Sequence, residues 1–248
     1  MTTSSTTVDP DEVAFYTRLA DQWWDEQGPF WPLHKLNRLR ADYLTRAICR
    51  HVGRAFDTRQ PLRDLRVLDI GCGGGILAES MASLGARVHA VDVVERNILI
   101  AREHAQKIGS EVNYEPIDIG ELAERGEKYD VVLNREVVEH VADLPLFMQQ
   151  CNQLVADEGI LFIATINRNP ISWLFAIVGA EYVLRWLPIG THQWSRFVKP
   201  GELRSMLQRD GLVVRDTTGV RVNPFTRHFS LSQRTPVNYM LSAVYPSR

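Results

Sequence analysis

The string Val67-Leu-Asp-Ile-Gly-Cys-Gly-Gly-Gly75 constrains this chain more than any other feature. It follows a β-branched run and opens an apolar-periodic stretch, the strand–loop–helix context of a nucleotide-binding turn. Glycines at 71, 73, 74 and 75 let the backbone approach a ligand closely, and packing alone is a poor reason for so many. Asp92 falls 21 residues after Gly71, where an acid accepts hydrogen bonds from ribose hydroxyls. A dinucleotide fingerprint would place glycine at 76 and an apolar residue at 69; this chain has Ile76 and Asp69. A buried carboxylate there repels a pyrophosphate and welcomes an ammonium group. No Lys or Arg falls between Asp69 and Met81 to neutralise phosphate. The ligand that fits best is S-adenosylmethionine, with Asp92 on the ribose and Asp69 on the methionine end. A nicotinamide or flavin nucleotide, or a plain structural turn, are the alternatives.

Strand and helix patterns alternate around this loop. Residues 66–70, 87–92, 112–117, 129–134 and 160–165 read as strands. Ile76, Leu77, Met81 and Leu84 share one helical face, as do Ile98, Ala101, Ala105 and Ile108; a third helix covers 144–155. This order predicts βαβ units: an α/β, Rossmann-like, mostly parallel sheet. Strands at 212–222 and 237–244, with no clear helix between them, suit an antiparallel edge. Asp118, at the end of the third strand, is a candidate for the adenine amine.

Residues 1–8 read as a frayed, disordered tail and 9–56 as an N-terminal helical cap opened by Asp9-Pro10. That cap holds Phe15, Tyr16, Trp23, Trp24, Phe30 and Trp31. A polar linker at 57–64 leads into the main domain, 66–248, which carries an apolar insertion at 167–199. Within it, 171–187 has only Ser172, Glu181 and Arg185 as polar residues. As a helix this stretch would be roughly 25 Å long, short of the roughly 30 Å needed to cross a bilayer.

A net charge of −2 and a pI near 6.4 argue against a dedicated nucleic-acid binder. Three scattered cysteines give neither a disulfide framework nor a zinc cluster. The first fourteen residues hold no Lys or Arg and no apolar core, so neither a signal nor a transit peptide is read there. The expected location is cytoplasmic.

The chain also resembles a known family. Asp69-Ile-Gly-Cys-Gly-Gly-Gly75 followed by Asp92 looks like the class I methyltransferase fold. Trp23-Trp24-Asp25, Pro32-Leu33-His34-Lys35-Leu36-Asn37, Glu136-Val-Val-Glu-His140, Thr165-Ile-Asn-Arg-Asn169, Gly190-Thr-His192 and Val237-Asn-Tyr-Met240 resemble the ubiquinone-biosynthesis O-methyltransferases. The resemblance implies methylation of polyprenylated catechols at two steps, and association with other enzymes of that pathway. It also implies that Arg40, Gly71, Asp92 and Arg135 contact S-adenosylmethionine; Gly73, in the same loop, is a further candidate from the glycine pattern. Relatives often carry an apolar or small residue at 135 and Pro at 38, where this chain has Arg135 and Arg38. A guanidinium aimed at a sulfonium would be repelled, so the Arg135 side chain is expected to point elsewhere. Trp23, His34 and His192 are candidate lid or substrate residues.

Methyl transfer to a phenol, whose pKa is near 10, needs something to take or weaken the proton. Two devices stay open, beside the reading of Glu139 and His140 as a structural helix-edge pair that shapes the substrate mouth. Glu136, Glu139 and His140 could hold a divalent cation such as Mg, which would bind the catechol; relatives that look metal-dependent favour this. Alternatively His140 acts as a general base, with Glu136 as its catalytic neighbour. A non-catalytic cofactor- or lipid-binding subunit and a methyltransferase with another small-molecule acceptor are the rival readings. The insertion, with Trp173 and Trp186 at its edges and Arg168 and Lys199 flanking it, has the composition of a segment lying on an anionic membrane surface. Peripheral contact at the inner face of the cell membrane is therefore expected.

Overall fold

The computed structural model describes residues 6–183, 186, 193–223 and 226–246. Two N-terminal helices, α1 (Pro10–Leu19) and α2 (Trp31–His51), are joined by a short 3-10 turn (Ala20–Gln22). The Asp9 side chain caps α1 by accepting the Asp11 N–H, and Pro10 opens its first turn. No residue of α1 is fully buried. In α2, by contrast, Leu36, Arg40, Leu44 and Ile48 recur every fourth residue and are buried, so one stripe faces inward. Thr7, in the stretch expected to be a frayed tail, is only 4% exposed. Its carbonyl accepts the Ala142 N–H at 2.9 Å.

Strands and helices then alternate: β1 (Arg66–Ile70), α3 (Ile76–Ser83), β2 (Arg87–Asp92), α4 (Glu95–Ile108), β3 (Val112–Pro116), α5 (Ile119–Glu124), β4 (Tyr129–Arg135), α6 (Leu144–Gln153) and β5 (Val155–Ile166). A single turn, α7 (Pro170–Ser172), leads into a π-helical segment (Trp173–Val183). After a 3-10 turn (Trp194–Arg196) come α8 (Pro200–Arg209), β6 (Val213–Asn223), β7 (His228–Ser232) and β8 (Asn238–Val244).

The strands form one sheet in the order β3-β2-β1-β4-β5-β8-β6-β7. β1 lies parallel to both β2 and β4, with Val67 opposite Val88 on one side and Val131 on the other. The chain therefore leaves β1 in one direction and returns to its other flank at β4. A crevice opens at such a reversal, at the carboxyl ends of the strands. That places the loops after β1 and β4 side by side.

The expected antiparallel edge is present, and β8 threads between β5 and β6. An outermost strand, β7, pairs with β6 and was not anticipated; nor were α5 and α8. In α8 the signals are Pro200 in the first turn and buried Leu203 and Leu207 at i,i+4. Helix α6 ends at Gln153, and Val155 already belongs to β5, so that strand starts five residues before the expected 160. The insertion, expected as one helix over 171–187, is instead wound with π-helical hydrogen bonding over Trp173–Val183. Among the described residues no helix is long and apolar enough to cross a membrane.

Alternate residues of the central strands feed two cores. Leu68, Val132, Leu161 and Ile163 pack against Phe147, Met148 and Cys151 of α6 and Leu203 and Leu207 of α8. Val67, Val88, Val131 and Phe162 pack against Leu44 and Ile48 of α2, Leu77 and Met81 of α3 and Ile98 of α4. Strands buried on both faces read as near-continuous apolar runs, as Val131, Val132 and Leu133 do. Leu161→Ala, at a side chain with no exposed surface, should lower unfolding free energy by about 2–5 kcal/mol in a urea titration.

Candidate active site

A cavity of about 650 Å³ lies at the carboxyl ends of the strands, with the β1 loop, Asp92, Asp118 and the segment from Arg135 to His140 on its wall. The β1 loop is built from left-handed turns: Gly71, Gly73 and Gly75 have φ of 64°, 54° and 87°. Asp92 pins it. Its Oδ2 accepts the Gly73 N–H at 2.9 Å and its Oδ1 accepts the Val94 N–H at 2.8 Å. Burial pushes the Asp92 carboxyl up; the Val94 and Gly73 amides and Asn97 pull it back.

Contrary to expectation, each loop glycine has a packing reason. A Cβ on Gly73 or Gly74 would stand 2.4 Å from the Trp23 side chain, one on Gly71 2.4 Å from Val137, and one on Gly75 2.2 Å from the Tyr114 hydroxyl. Trp23 stacks on Phe30 with ring centroids 3.8 Å apart and donates its Nε1–H to Asn97 at 2.8 Å. Trp24 donates to the Gly74 carbonyl at 3.0 Å and stacks on His104. The Trp23-Trp24 pair thus clamps the loop from the cap. His34 is not on the cavity wall; its ring meets the Trp23 carbonyl at 2.8 Å and supports that clamp.

The residues after β4 form the opposite wall. Glu136 adopts a left-handed backbone with φ 53°, and its carboxylate pairs with the buried guanidinium of Arg40. Glu139 is 3% exposed and accepts the Thr165 hydroxyl at 2.8 Å. Burial, then the Glu136 charge, pushes its carboxyl well up. His140 turns to the roof: Nδ1 lies 3.1 Å from Glu12 and Nε2 3.3 Å from the Tyr16 hydroxyl. These three side chains are committed to different partners and do not fit as one ligand set. The expectation of a shared divalent cation finds no support here; among the described residues no three His, Cys, Asp or Glu groups come together as metal ligands.

A methyltransferase-domain family model matches residues 34–217. The chain is 47% identical to the ubiquinone biosynthesis O-methyltransferase of Dinoroseobacter shibae over 248 residues, all of both chains. It is 48% identical to that of Sinorhizobium medicae over 244 residues, 98% of each. This chain belongs to the ubiquinone biosynthesis O-methyltransferase family. Its fold matches magnesium protoporphyrin IX methyltransferase from Synechocystis solved with bound S-adenosylhomocysteine, at TM-score 0.66 and 20% identity, covering 94% of this chain and 95% of that one. The same protein with bound S-adenosylmethionine gives a TM-score of 0.60 at 18% identity, covering 98% of this chain and all of that one. The fold is that of a class I S-adenosylmethionine-dependent methyltransferase.

Of the expected cofactor residues, Gly71, Gly73, Asp92, Asp118 and Arg135 reach the cavity wall; Asp69 and Arg40 do not. Asp118 caps α5, accepting the Gly120 N–H at 2.7 Å, and also accepts the Thr7 hydroxyl at 3.2 Å. Arg40 lies one layer behind, on Glu136. Arg135 is among the residues lining the cavity, and its buried Nε has no hydrogen-bond partner. Burial raises the Asp69 carboxyl to about 6, while the nearby Arg135 charge pulls it down. The carboxylate expected to meet an ammonium group from the ligand therefore already faces a guanidinium. Trp23 and Trp186 line the cavity; Trp186 packs edge-on to Trp31 at 5.0 Å, facing inward. His192 lies outside the described residues. Sequence reasoning missed Thr7, Glu12 and Thr165 as neighbours of these groups, and it named Tyr16 only as part of the aromatic cap.

Donor chemistry and shape fit S-adenosylmethionine: carboxylates and amides, no phosphate-binding cation on the β1 loop, and unpartnered oxygens on Asp69 behind it. Gly73→Ala forces a Cβ into Trp23 at a left-handed position. Calorimetry should show its affinity for S-adenosylhomocysteine at least ~10-fold weaker, about 1.4 kcal/mol.

Proposed function

We propose that this chain moves a methyl group from S-adenosylmethionine to a hydroxyl of polyprenylated catechols, at both O-methylation steps of ubiquinone biosynthesis. The observation that carries this reading is that the His140 imidazole lines the same cavity as Asp92 and the glycine loop, across from them. Asp92 and Asp118 would hold the cofactor. When bound, S-adenosylmethionine supplies a methyl group activated by a positively charged sulfur.

His140 is the proton acceptor in this reading. An ordinary imidazole has a pKa near 6.5 and a phenol one near 10, so a hydrogen-bonded imidazole can take the phenolic proton as the oxygen becomes nucleophilic. Proton balance is simple: the hydroxyl proton passes to Nε2 and later to solvent. The largely apolar wall excludes water, which favours a reaction in which a cation and an oxyanion neutralise one another. The carboxylates of Glu136 and Glu139 are engaged elsewhere, so no step is assigned to a metal.

The far end of the cavity supports a lipid-borne acceptor. Ile166, Ile171, Phe175, Ala176, Trp186 and Phe229 line it. Ile171, Trp173, Leu174 and Phe175 are also about half exposed, forming an apolar patch at the start of the insertion. Exposed apolar clusters of this kind mark interaction surfaces. In this reading the patch rests on an anionic membrane at its cytoplasmic face, and the prenyl tail enters beside Ile171 and Phe175.

With labelled S-adenosylmethionine and a short-chain prenyl catechol, His140→Gln should lower kcat by about 100-fold while leaving S-adenosylhomocysteine affinity intact. Chelator should leave the wild-type rate unchanged; a loss restored by Mg2+ would return Glu136, Glu139 and His140 to the role of ligands. Serine at 173, 174 and 175 together should abolish flotation with anionic liposomes, and equal flotation of both proteins would refute membrane contact through this patch.

A further inference from the structure

Helix α1 sits over the cavity and contributes Glu12, Tyr16 and Leu19 to its wall. Two of these grip opposite nitrogens of one ring. Glu12 Oε2 lies 3.1 Å from His140 Nδ1, and the Tyr16 hydroxyl lies 3.3 Å from Nε2, with the two rings edge-on at 5.5 Å. A carboxylate only accepts, so Nδ1 must carry the hydrogen. That leaves the Nε2 lone pair to accept, and Tyr16 is the donor there. Burial, together with Glu12, Glu139, Glu136 and Asp92, pushes the Tyr16 phenol up, so it keeps its proton. The second Glu12 oxygen lies 3.6 Å from Arg196 Nη1, which also binds Asp9 at 2.7 Å. The carboxylate is thus steadied on a side away from the ring.

We infer that Glu12 is a positioning residue: from the N-terminal helix it holds His140 in the tautomer whose Nε2 accepts the proton of a phenolic hydroxyl. This rests on the reading of His140 as the base. The Tyr16 contact shows that Nε2 accommodates a phenol as donor, the chemical class of the acceptor substrate. In this arrangement Tyr16 marks the direction from which a catechol hydroxyl reaches the ring. A histidine whose second nitrogen lacks a partner samples both tautomers, and only one presents a basic Nε2. Orientation by a carboxylate is how a positioned imidazole is kept productive in other general-base sites.

The test uses the full chain and two readouts. In ¹⁵N-histidine-labelled protein at about pH 8.5, above the ordinary histidine pKa near 6.5, long-range nitrogen–proton spectra report the tautomer of each ring. His140→Gln assigns the His140 signals. Wild type should show Nδ1–H at His140, and Glu12→Ala should shift it toward a mixture. Glu12→Ala should also lower kcat on a short-chain prenyl catechol by about 10- to 100-fold, with KM changed less than about 3-fold. Glu12→Gln, which keeps an acceptor oxygen without the charge, should fall between. Binding of S-adenosylhomocysteine by Glu12→Ala confirms that the cavity is intact. An unmoved tautomer and unchanged kcat in Glu12→Ala, with His140→Gln inactive, would overturn the role of Glu12 alone. Full activity in His140→Gln would overturn the base reading itself, whatever Glu12→Ala does to the ring.

Discussion

Asp92 holds the turn after β1 from the neighbouring strand, and much of the site is built on that grip. Its carboxylate takes the Gly73 and Val94 amides, one on each oxygen. Hydrogen bonds to an ionised group contribute about 1.5–3 kcal/mol each, enough to offset a large share of the cost of burying the charge. The loop so fixed has no Cβ where Trp23 and Tyr114 press against it. Trp23 and Trp24 then anchor the turn between α1 and α2 on the loop. Helix α2 in turn delivers Arg40 to Glu136, 96 residues away in sequence. Loosening the loop would therefore disturb both walls of the cavity.

The electrostatics follow from that geometry. Glu136, Glu139, Asp92 and Glu12 all act on the Tyr16 phenol, so acids converge on one place. Two devices keep this tolerable. Arg40 neutralises Glu136 from behind, and at Glu139 burial and the Glu136 charge both oppose ionisation and push its carboxyl up. The left-handed backbone at Glu136 costs about 1 kcal/mol, and such departures persist where the surroundings over-determine them. Here the Glu136 amide donates to the Ala164 carbonyl at 2.8 Å while its side chain meets Arg40. Arg135 is the discordant charge. It has Asp69 nearby but a buried Nε without a hydrogen-bond partner, and burial pulls its pKa down.

Much of this was legible in the residues, for identifiable reasons. The glycine string, the β-branched runs and the apolar faces of α3 and α4 are local signals, and local signals gave the parallel half of the sheet and the place of Asp92. The Glu136–His140 string marked the opposite wall, but residue types at close spacing suggested convergence. The backbone turn at Glu136 instead sends the three side chains apart. Strand β7 was missed because His228–Ser232 is short and flanked by charges. Helix α5 was missed because six residues barely make a period. The packing role of the loop glycines was missed, since Trp23 and Tyr114 lie 50 and 39 residues from Gly73 and Gly75, against which they press, and no local pattern announces such contacts. Glu12 was invisible for the same reason: in sequence it is simply an acid in the first turn of a helix, where the dipole favours one anyway.

The two helices over the cavity are held by different kinds of force, and that difference says which of them yields. Helix α2 is seated by Leu36, Leu44 and Ile48, each nearly or fully buried; fully burying one such side chain contributes about 1.5–3 kcal/mol. Helix α1 has half-buried Tyr16 and Leu19 but no fully buried residue. Further ties of α1 and of the residues leading into it are polar: Thr7 to Asp118, Glu12 and Tyr16 to His140, and Asp9 and Glu12 to Arg196. Partly exposed ion pairs contribute about 0–1 kcal/mol each, because water replaces them readily. Lifting α1 therefore costs far less than displacing α2. Arg196 lies within the insertion, in a turn whose Trp194 side chain donates to the Asn169 carbonyl at 3.2 Å, so the same ion cluster joins α1 to the segment that brings Ile171 and Phe175 to the cavity wall. The carboxylate that meets His140 thus sits on the more weakly held of the two helices.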